Sequence, residues 1–277
     1  MNLLKSEFSR AIIGGLVFLC ISFSKGFAQE SPISERINLP ATTEIWNGLY
    51  LKLRLSDRWW WYQENHYRRR SSLDNRKDFA GRMGQVYNRF GMTYQFTDNF
   101  EVTFGPTLVY NYTPDPGNPE FEKVVLESRF WHQWLFTQSV GRSKVIHQFR
   151  FEHRYKRLND IGAEYNYTNR YRYKFIAYIP LNTPKMQNKT LFIAPSNEIF
   201  METGKKKLNI FEENRLYTAI GYTYNNFMFF GGHMWTYGPA NSNTVGIYRN
   251  RHILRFNVMY TVDFRNKRKP LTRDFEY

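Results

Sequence analysis

The 277-residue sequence carries 39 Lys and Arg against 24 Asp and Glu, a formal net charge of +15, with 18% aromatic residues and one cysteine. A single cysteine excludes a disulfide scaffold. Beyond the first thirty residues no stretch approaches eighteen apolar residues, which excludes a transmembrane helix. So large a basic surplus points to nucleic acid, anionic lipid or an anionic solute.

Residues 1–28 read as a secretory signal peptide. Lys5 and Arg10 precede an apolar run from Ala11 to Phe23, and Gly26-Phe27-Ala28 supplies small residues for cleavage near Ala28. Cys20 lies inside this segment, behind a Leu19 too large for a lipoprotein cleavage site. Cleavage leaves 36 basic and 23 acidic residues, a net charge of +13, and no cysteine. That fits a Gram-negative envelope protein, and it makes the Asn-x-Thr triplets at Asn111, Asn166 and Asn188 chance matches. After export, outer-membrane lipid, lipopolysaccharide and small anionic solutes remain as partners, and nucleic acid does not. Residues 29–43, with Pro32 and Pro40, read as a linker, 44–265 as a barrel and 266–277 as a basic C-terminal tail.

Within 44–265 the hydrophobic pattern has a period of two. Between Gln85 and Phe96, residues Val86, Phe90, Met92, Tyr94 and Phe96 share one face, and Tyr87, Arg89, Thr93 and Gln95 the other. After Thr97-Asp98-Asn99 the run from Phe100 to Tyr112 repeats this, and successive strand residues point to opposite faces. The same pattern predicts strands at 45–55, 59–69, 122–136, 145–155, 167–179, 190–200, 214–224, 227–237 and 250–264. Short connections at 56–58, 97–99, 137–143 and 225–226 alternate with long ones at 70–82, 113–120, 156–165, 201–213 and 238–248. The segment 180–190 is longer than a turn should be. Each run suffices to cross a bilayer at a tilt, and the alternation matches short periplasmic turns and longer extracellular loops. The expected fold is an all-β, closed antiparallel transmembrane barrel of about twelve strands, with ten as the alternative. The pattern itself yields eleven, a count that antiparallel closure does not allow.

Tryptophans near strand ends suit an interfacial girdle, where the ring meets apolar chains and the N–H reaches water. Trp59, Trp60, Trp61, Trp131, Trp134 and Trp235 are the candidates. With the apolar faces outward, the opposite faces line a lumen. Its candidate residues are Arg54, Glu64, Arg89, Glu127, Arg129, Arg150, Glu152, Arg154, Arg170, Arg172, Lys174, Glu198, Arg215, Arg251 and Arg255. Lys52, Arg68, Glu101 and Asp263 share those faces, which brings the set to thirteen basic and six acidic residues.

Several motifs occur in a recognisable order. Trp46 is followed by Ser56-Asp57-Arg58-Trp59, the segment Gln63 to Arg68, and His147 to Tyr155. Then come Asn197-Glu198-Ile199-Phe200 and Glu213-Asn214-Arg215-Leu216-Tyr217, leading into Ala219-Ile220-Gly221-Tyr222. Together these resemble the bacterial envelope family catalogued as domain of unknown function 2490, abundant in Bacteroidetes, over nearly all of the chain after the leader. The resemblance implies an outer-membrane barrel with no assigned reaction. Arg150, Glu152 and Arg154 match its Arg-x-Glu-x-Arg strand, and Glu198 and Arg215 its Asn-Glu and Asn-Arg motifs; an inward Glu198 and Arg215 could pair, with Arg150 or Arg154 in reach, and a structural polar cluster that sets register is the preferred reading.

Three roles follow. The first is passage or binding of small anionic solutes through a basic lumen, since guanidinium groups recognise carboxylate and phosphate. The second is a structural or surface-interaction barrel. The third is a lipid-modifying enzyme built on the outward-facing His147, His153 and Ser128. No nucleophile elbow, phosphate loop or metal-ligand spacing is present. The expectation is therefore no enzyme, with no catalytic, cofactor-binding or metal residues assigned.

Overall fold

The computed structural model describes residues 36–205, 207–240 and 245–265. The segment read as a signal peptide, with Cys20, residues 29–35 of the linker and the basic tail lie outside the described residues. Among the described residues there are twelve strands, the number expected of the fold and one more than the pattern itself yields. They are β1 (Ile37–Asn38), β2 (Thr42–Arg54), β3 (Trp59–Arg70), β4 (Arg82–Thr97), β5 (Phe100–Tyr112), β6 (Val124–Val140), β7 (Ser143–Lys156), β8 (Asn166–Pro180), β9 (Leu191–Gly204), β10 (Phe211–Tyr224), β11 (Phe227–Pro239) and β12 (Ile247–Asp263).

From β2 to β12 each strand pairs antiparallel with the next, and β12 then closes the cylinder on β2. Eleven strands form the wall, so the first and last run in the same direction. The closing pair is accordingly parallel, from Arg251 opposite Thr42 to Asp263 opposite Arg54. This parallel seam resolves the odd count, and it is the one departure from the antiparallel closure expected. Strand β1 pairs parallel with the same edge of β12, Ile37 opposite Ile247 and Asn38 opposite Tyr248. It falls inside the stretch read as a linker. The register slips by one residue across Leu39-Pro40-Ala41, where Pro40 has no N–H to give the ladder.

Three connections, Asp98-Asn99, Gly141-Arg142 and Asn225-Asn226, have two residues each. Gly141 and Asn225 adopt φ of 58° and 52°, the left-handed backbone that two-residue hairpins favour, whereas the first lies beside a register shift between Gln95 and Thr97. The long connections gather at the opposite end. There Arg157 donates to both carboxylate oxygens of Glu122 at 2.7 and 2.6 Å, and Asn159 donates to the Asn111 and Glu122 carbonyls. These bonds tie the β5–β6 loop to the β7–β8 loop.

The burial pattern is the reverse of a water-soluble barrel. Along β6, Leu126, Phe130 and Trp134 are exposed, whereas Glu127, Arg129 and Gln133 are buried. Apolar groups face out and charges face in, in a bore too narrow to leave them in bulk water. An aromatic belt runs across β3 to β6 on the outside of the short-turn end. Trp59 packs on Tyr94 at 4.9 Å, Tyr94 on Phe96 at 4.7 Å, Phe96 on Phe100 at 5.4 Å and Phe100 on Phe136 at 4.5 Å.

The short-turn end of the bore is filled by apolar side chains, including Ile146, Ile176, Tyr178, Phe192, Ala219 and Met228. Gly221 makes room for the Phe192 ring, because a Cβ there would lie 2.2 Å from its Cζ. The long 181–190 connection belongs to this plug. Met186 enters the same cluster, and the Lys189 N–H donates to the Thr223 carbonyl at 2.9 Å. Its length is explained by this fold-back.

Candidate functional site

The long-loop half of the bore carries the charges. At its centre Glu152 accepts from Arg89 at 2.7 Å, Arg129 at 3.0 Å, Arg172 at 2.8 Å and Arg170 at 3.4 Å. Three strands, β4, β6 and β8, supply those guanidiniums, so one carboxylate fixes a large arc of the wall. Glu64 accepts from Arg89, from Arg150 at 2.7 Å and from the Tyr62 hydroxyl at 2.5 Å. Glu127 accepts from Arg129 at 2.8 Å and Arg154 at 2.6 Å, and Arg154 continues to Glu202 at 2.9 Å. A second group lies at the seam. There Arg251 joins Glu213 and Glu44, and Arg215 also joins Glu213.

All fifteen lumen candidates point into the bore or its rim. Glu64, Arg89, Glu127, Arg129, Arg150, Glu152, Arg154 and Glu198 are buried. Arg170, Arg172, Lys174, Arg215, Arg251 and Arg255 are half-buried. Arg54 is at the short-turn rim, where its guanidinium donates to the Asp57 carbonyl at 3.0 Å. Lys52 pairs with Glu101 at 2.8 Å. The motif pair Glu198 and Arg215 comes only to 4.0 Å. Glu198 is held instead by Arg172 at 2.6 Å. Arg215 lies over the Trp46 and Phe200 rings at 5.0 and 4.1 Å.

Two tryptophans depart from the expected outer girdle. Trp60 shares its parity with Tyr62 and Glu64, so it faces inward and receives Lys52 and Arg54 over its ring, each at 4.9 Å. Trp131 shares its parity with Glu127 and Arg129, and lies fully buried beside the Arg89 and Arg150 guanidiniums at 5.0 and 4.9 Å. Trp59 and Trp134 are exposed outside, and Trp61 and Trp235 are partly exposed there. Of the outward enzyme candidates, His153 hydrogen-bonds Tyr167 at 2.9 Å and Asn169 at 2.7 Å. No hydrogen bond joins it to Ser128.

Four inward carboxylates escaped the sequence reading: Glu44, Glu202, Glu212 and Glu213. Glu44 precedes the predicted start of its strand, and the other three fall in the predicted loop 201–213. The pattern faded there, although the strands continue. At Glu212 a bulge shifts the β9–β10 register between Phe211 and Glu213. The extra residue lets two consecutive glutamates turn inward, and Glu212 meets Arg170.

With these carboxylates in place most arginines are paired, and among the described cations that line the central cavity three make no ion pair. Arg68 is held against the Trp46 and Tyr87 rings at 3.7 and 4.4 Å. Its one hydrogen-bond acceptor is Gln85 at 3.1 Å, and its Nε is buried without a partner. Arg255 donates to the Tyr50 hydroxyl at 2.7 Å and to Asn257 at 3.2 Å, but to no carboxylate. Lys174 lies opposite Glu198 in the β8–β9 register but makes no ion pair within 4.0 Å among the described residues. All three line a cavity of about 110 Å³ in the bore. Among the described residues no cluster of His, Cys, Asp and Glu could hold a metal ion, so this cationic cavity is the chemistry that the bore offers.

No curated protein and no solved structure matches the chain. The model of one family, described as "Protein of unknown function (DUF2490)", matches residues 43–246, nearly the whole barrel wall. The chain therefore belongs to the DUF2490 family.

Proposed function

We propose that this protein is an integral outer-membrane barrel that binds small anionic solutes within its bore and does not conduct them freely. Membrane residence is supported by the inverted burial pattern, by the aromatic belt, and by wall strands of 12 to 17 residues, enough to cross a bilayer at a tilt. Outer-membrane lipid and lipopolysaccharide are then its surroundings. Free passage is disfavoured by the apolar plug at the short-turn end, so the solute enters and leaves at the long-loop end.

The observation that carries the reading is the trio Arg68, Lys174 and Arg255, which face one cavity and make no ion pair among the described residues. A buried charge without a counter-charge is costly, and an anion supplies that counter-charge. Titration calorimetry of the folded protein in detergent, with inorganic phosphate and with short carboxylates, tests it. Binding that is lost in an Arg255→Met variant is the expected result. No heat with either anion, in protein that keeps heat-modifiable gel migration, overturns the reading. A steady current in planar bilayers would restore free passage.

A second reading, a purely structural barrel, is favoured by the four arginines on Glu152. In that case the lattice holds the wall rigid and the long loops meet a partner. We propose no reaction, since His153 is engaged with Tyr167 and Asn169.

A further inference from the structure

The cavity lies where the inward faces of several strands change character. Toward the short-turn end, β8 runs Arg172, Lys174, Ile176, Tyr178 on its inner face. β7 runs Arg150, Gln148, Ile146, and β12 runs Arg255, Asn257, Met259. β6 changes in the same sense, from Arg129 to Leu135. The cavity is therefore cationic on its long-loop side and mainly apolar on the other, where Leu135, Ile146, Ile176, Phe230 and Met259 line it; the one carboxylate on that side, Glu101, is already neutralised by Lys52 at 2.8 Å.

An inorganic oxyanion would match only the first half and would leave apolar walls against a strongly hydrated ion. A neutral apolar molecule would match only the second and leave the three cations unpaired. We infer that the ligand is amphipathic, a short aliphatic monocarboxylate. Its carboxylate meets Arg68, Lys174 and Arg255, and its hydrocarbon end points at the plug. Size sets the chain length, since a cavity of about 150 Å³ takes a benzene ring and this one has about 110 Å³. Short carboxylic acids are ionised at neutral pH, so the charge match needs no proton transfer. The inference rests on the anion-binding reading above and specifies its ligand.

The test is calorimetry on the full barrel in detergent with three probes: butyrate, inorganic phosphate and 1-butanol. Butyrate binding at least tenfold tighter than either of the others is expected. Arg68→Met should weaken butyrate about tenfold while leaving heat-modifiable migration intact. If that variant does not fold, Lys174→Met serves the same purpose. Phosphate binding as tightly as butyrate would overturn the amphipathic ligand and leave the general anion reading standing. Butanol binding as tightly as butyrate would overturn it by removing the role of the cations. Binding of none of the three would overturn both readings.

Discussion

Glu152 shows how this interior works at the level of one residue. It is fully buried and neutralises guanidiniums from β4, β6 and β8, so the penalty for burying it is offset only while every partner is present. Glu152→Gln keeps the shape and removes the charge, leaving Arg89, Arg129, Arg170 and Arg172 with one acceptor fewer. The expected loss is about 3–5 kcal/mol, read by denaturant unfolding in lipid. A change below about 1 kcal/mol would mean that solvent already screens the lattice. The residue scale is also where the sequence was most legible, because parity alone put the fifteen lumen candidates on inward faces. It misled at Trp60 and Trp131, where residue type was allowed to outweigh parity. An indole suits a membrane interface, but it also stacks on arginine, and the inner positions of these strands are crowded with guanidinium groups.

At the scale of elements, all eleven wall strands were legible, because each alternates for longer than a turn could. What was not legible is how the ends meet. The β12–β2 pairing joins residues some two hundred positions apart, and nothing local in either strand marks it as parallel. Leu49 and Val258 are paired across this seam and face outward. Neighbouring strands place such Cα atoms about 4.8 Å apart, within disulfide range. The double variant Leu49→Cys, Val258→Cys should cross-link under mild oxidation, shown by a non-reducing gel shift. Free thiols in the folded protein would reject the parallel register. The 181–190 connection was unreadable for another reason, since a lone Met186 in a polar loop has no period to reveal its burial. The clasp between the long loops makes a pH prediction. The hydrogen bond from Arg157 holds the Glu122 carboxyl below its ordinary range. A lowered carboxylate pKa contributes stability above the unfolded value, and that contribution is lost as pH falls through the folded value. Protection of the Ile161 amide, bonded to the Glu120 carbonyl at 2.9 Å, should therefore drop below the ordinary glutamate range. In an Arg157→Met variant this acid-dependent drop should be absent, and its persistence there would assign it to another group.

Seen whole, the described barrel has a polar lattice at one end, an apolar plug at the other and an apolar outer wall. Such a wall supports the proposed hydrocarbon surround. Phe130, half-exposed near the middle of β6, is a position where Arg should cost about 2–4 kcal/mol in a bilayer. On a water-facing wall the same change would be nearly neutral. Unfolding titrations of Phe130→Arg in liposomes measure the difference. The inverted pattern also explains why the barrel could be read from sequence and the cavity could not. Alternation exposes which face is apolar, whereas the cavity depends on which arginines find carboxylates, and four of those carboxylates were hidden at strand ends. The most direct measurement is fractionation of Gram-negative cells expressing the full chain, with gel migration compared before and after boiling. The account predicts recovery in the outer-membrane fraction, with an unboiled form that migrates faster than the boiled one. Recovery as a soluble periplasmic protein without that shift would contradict it.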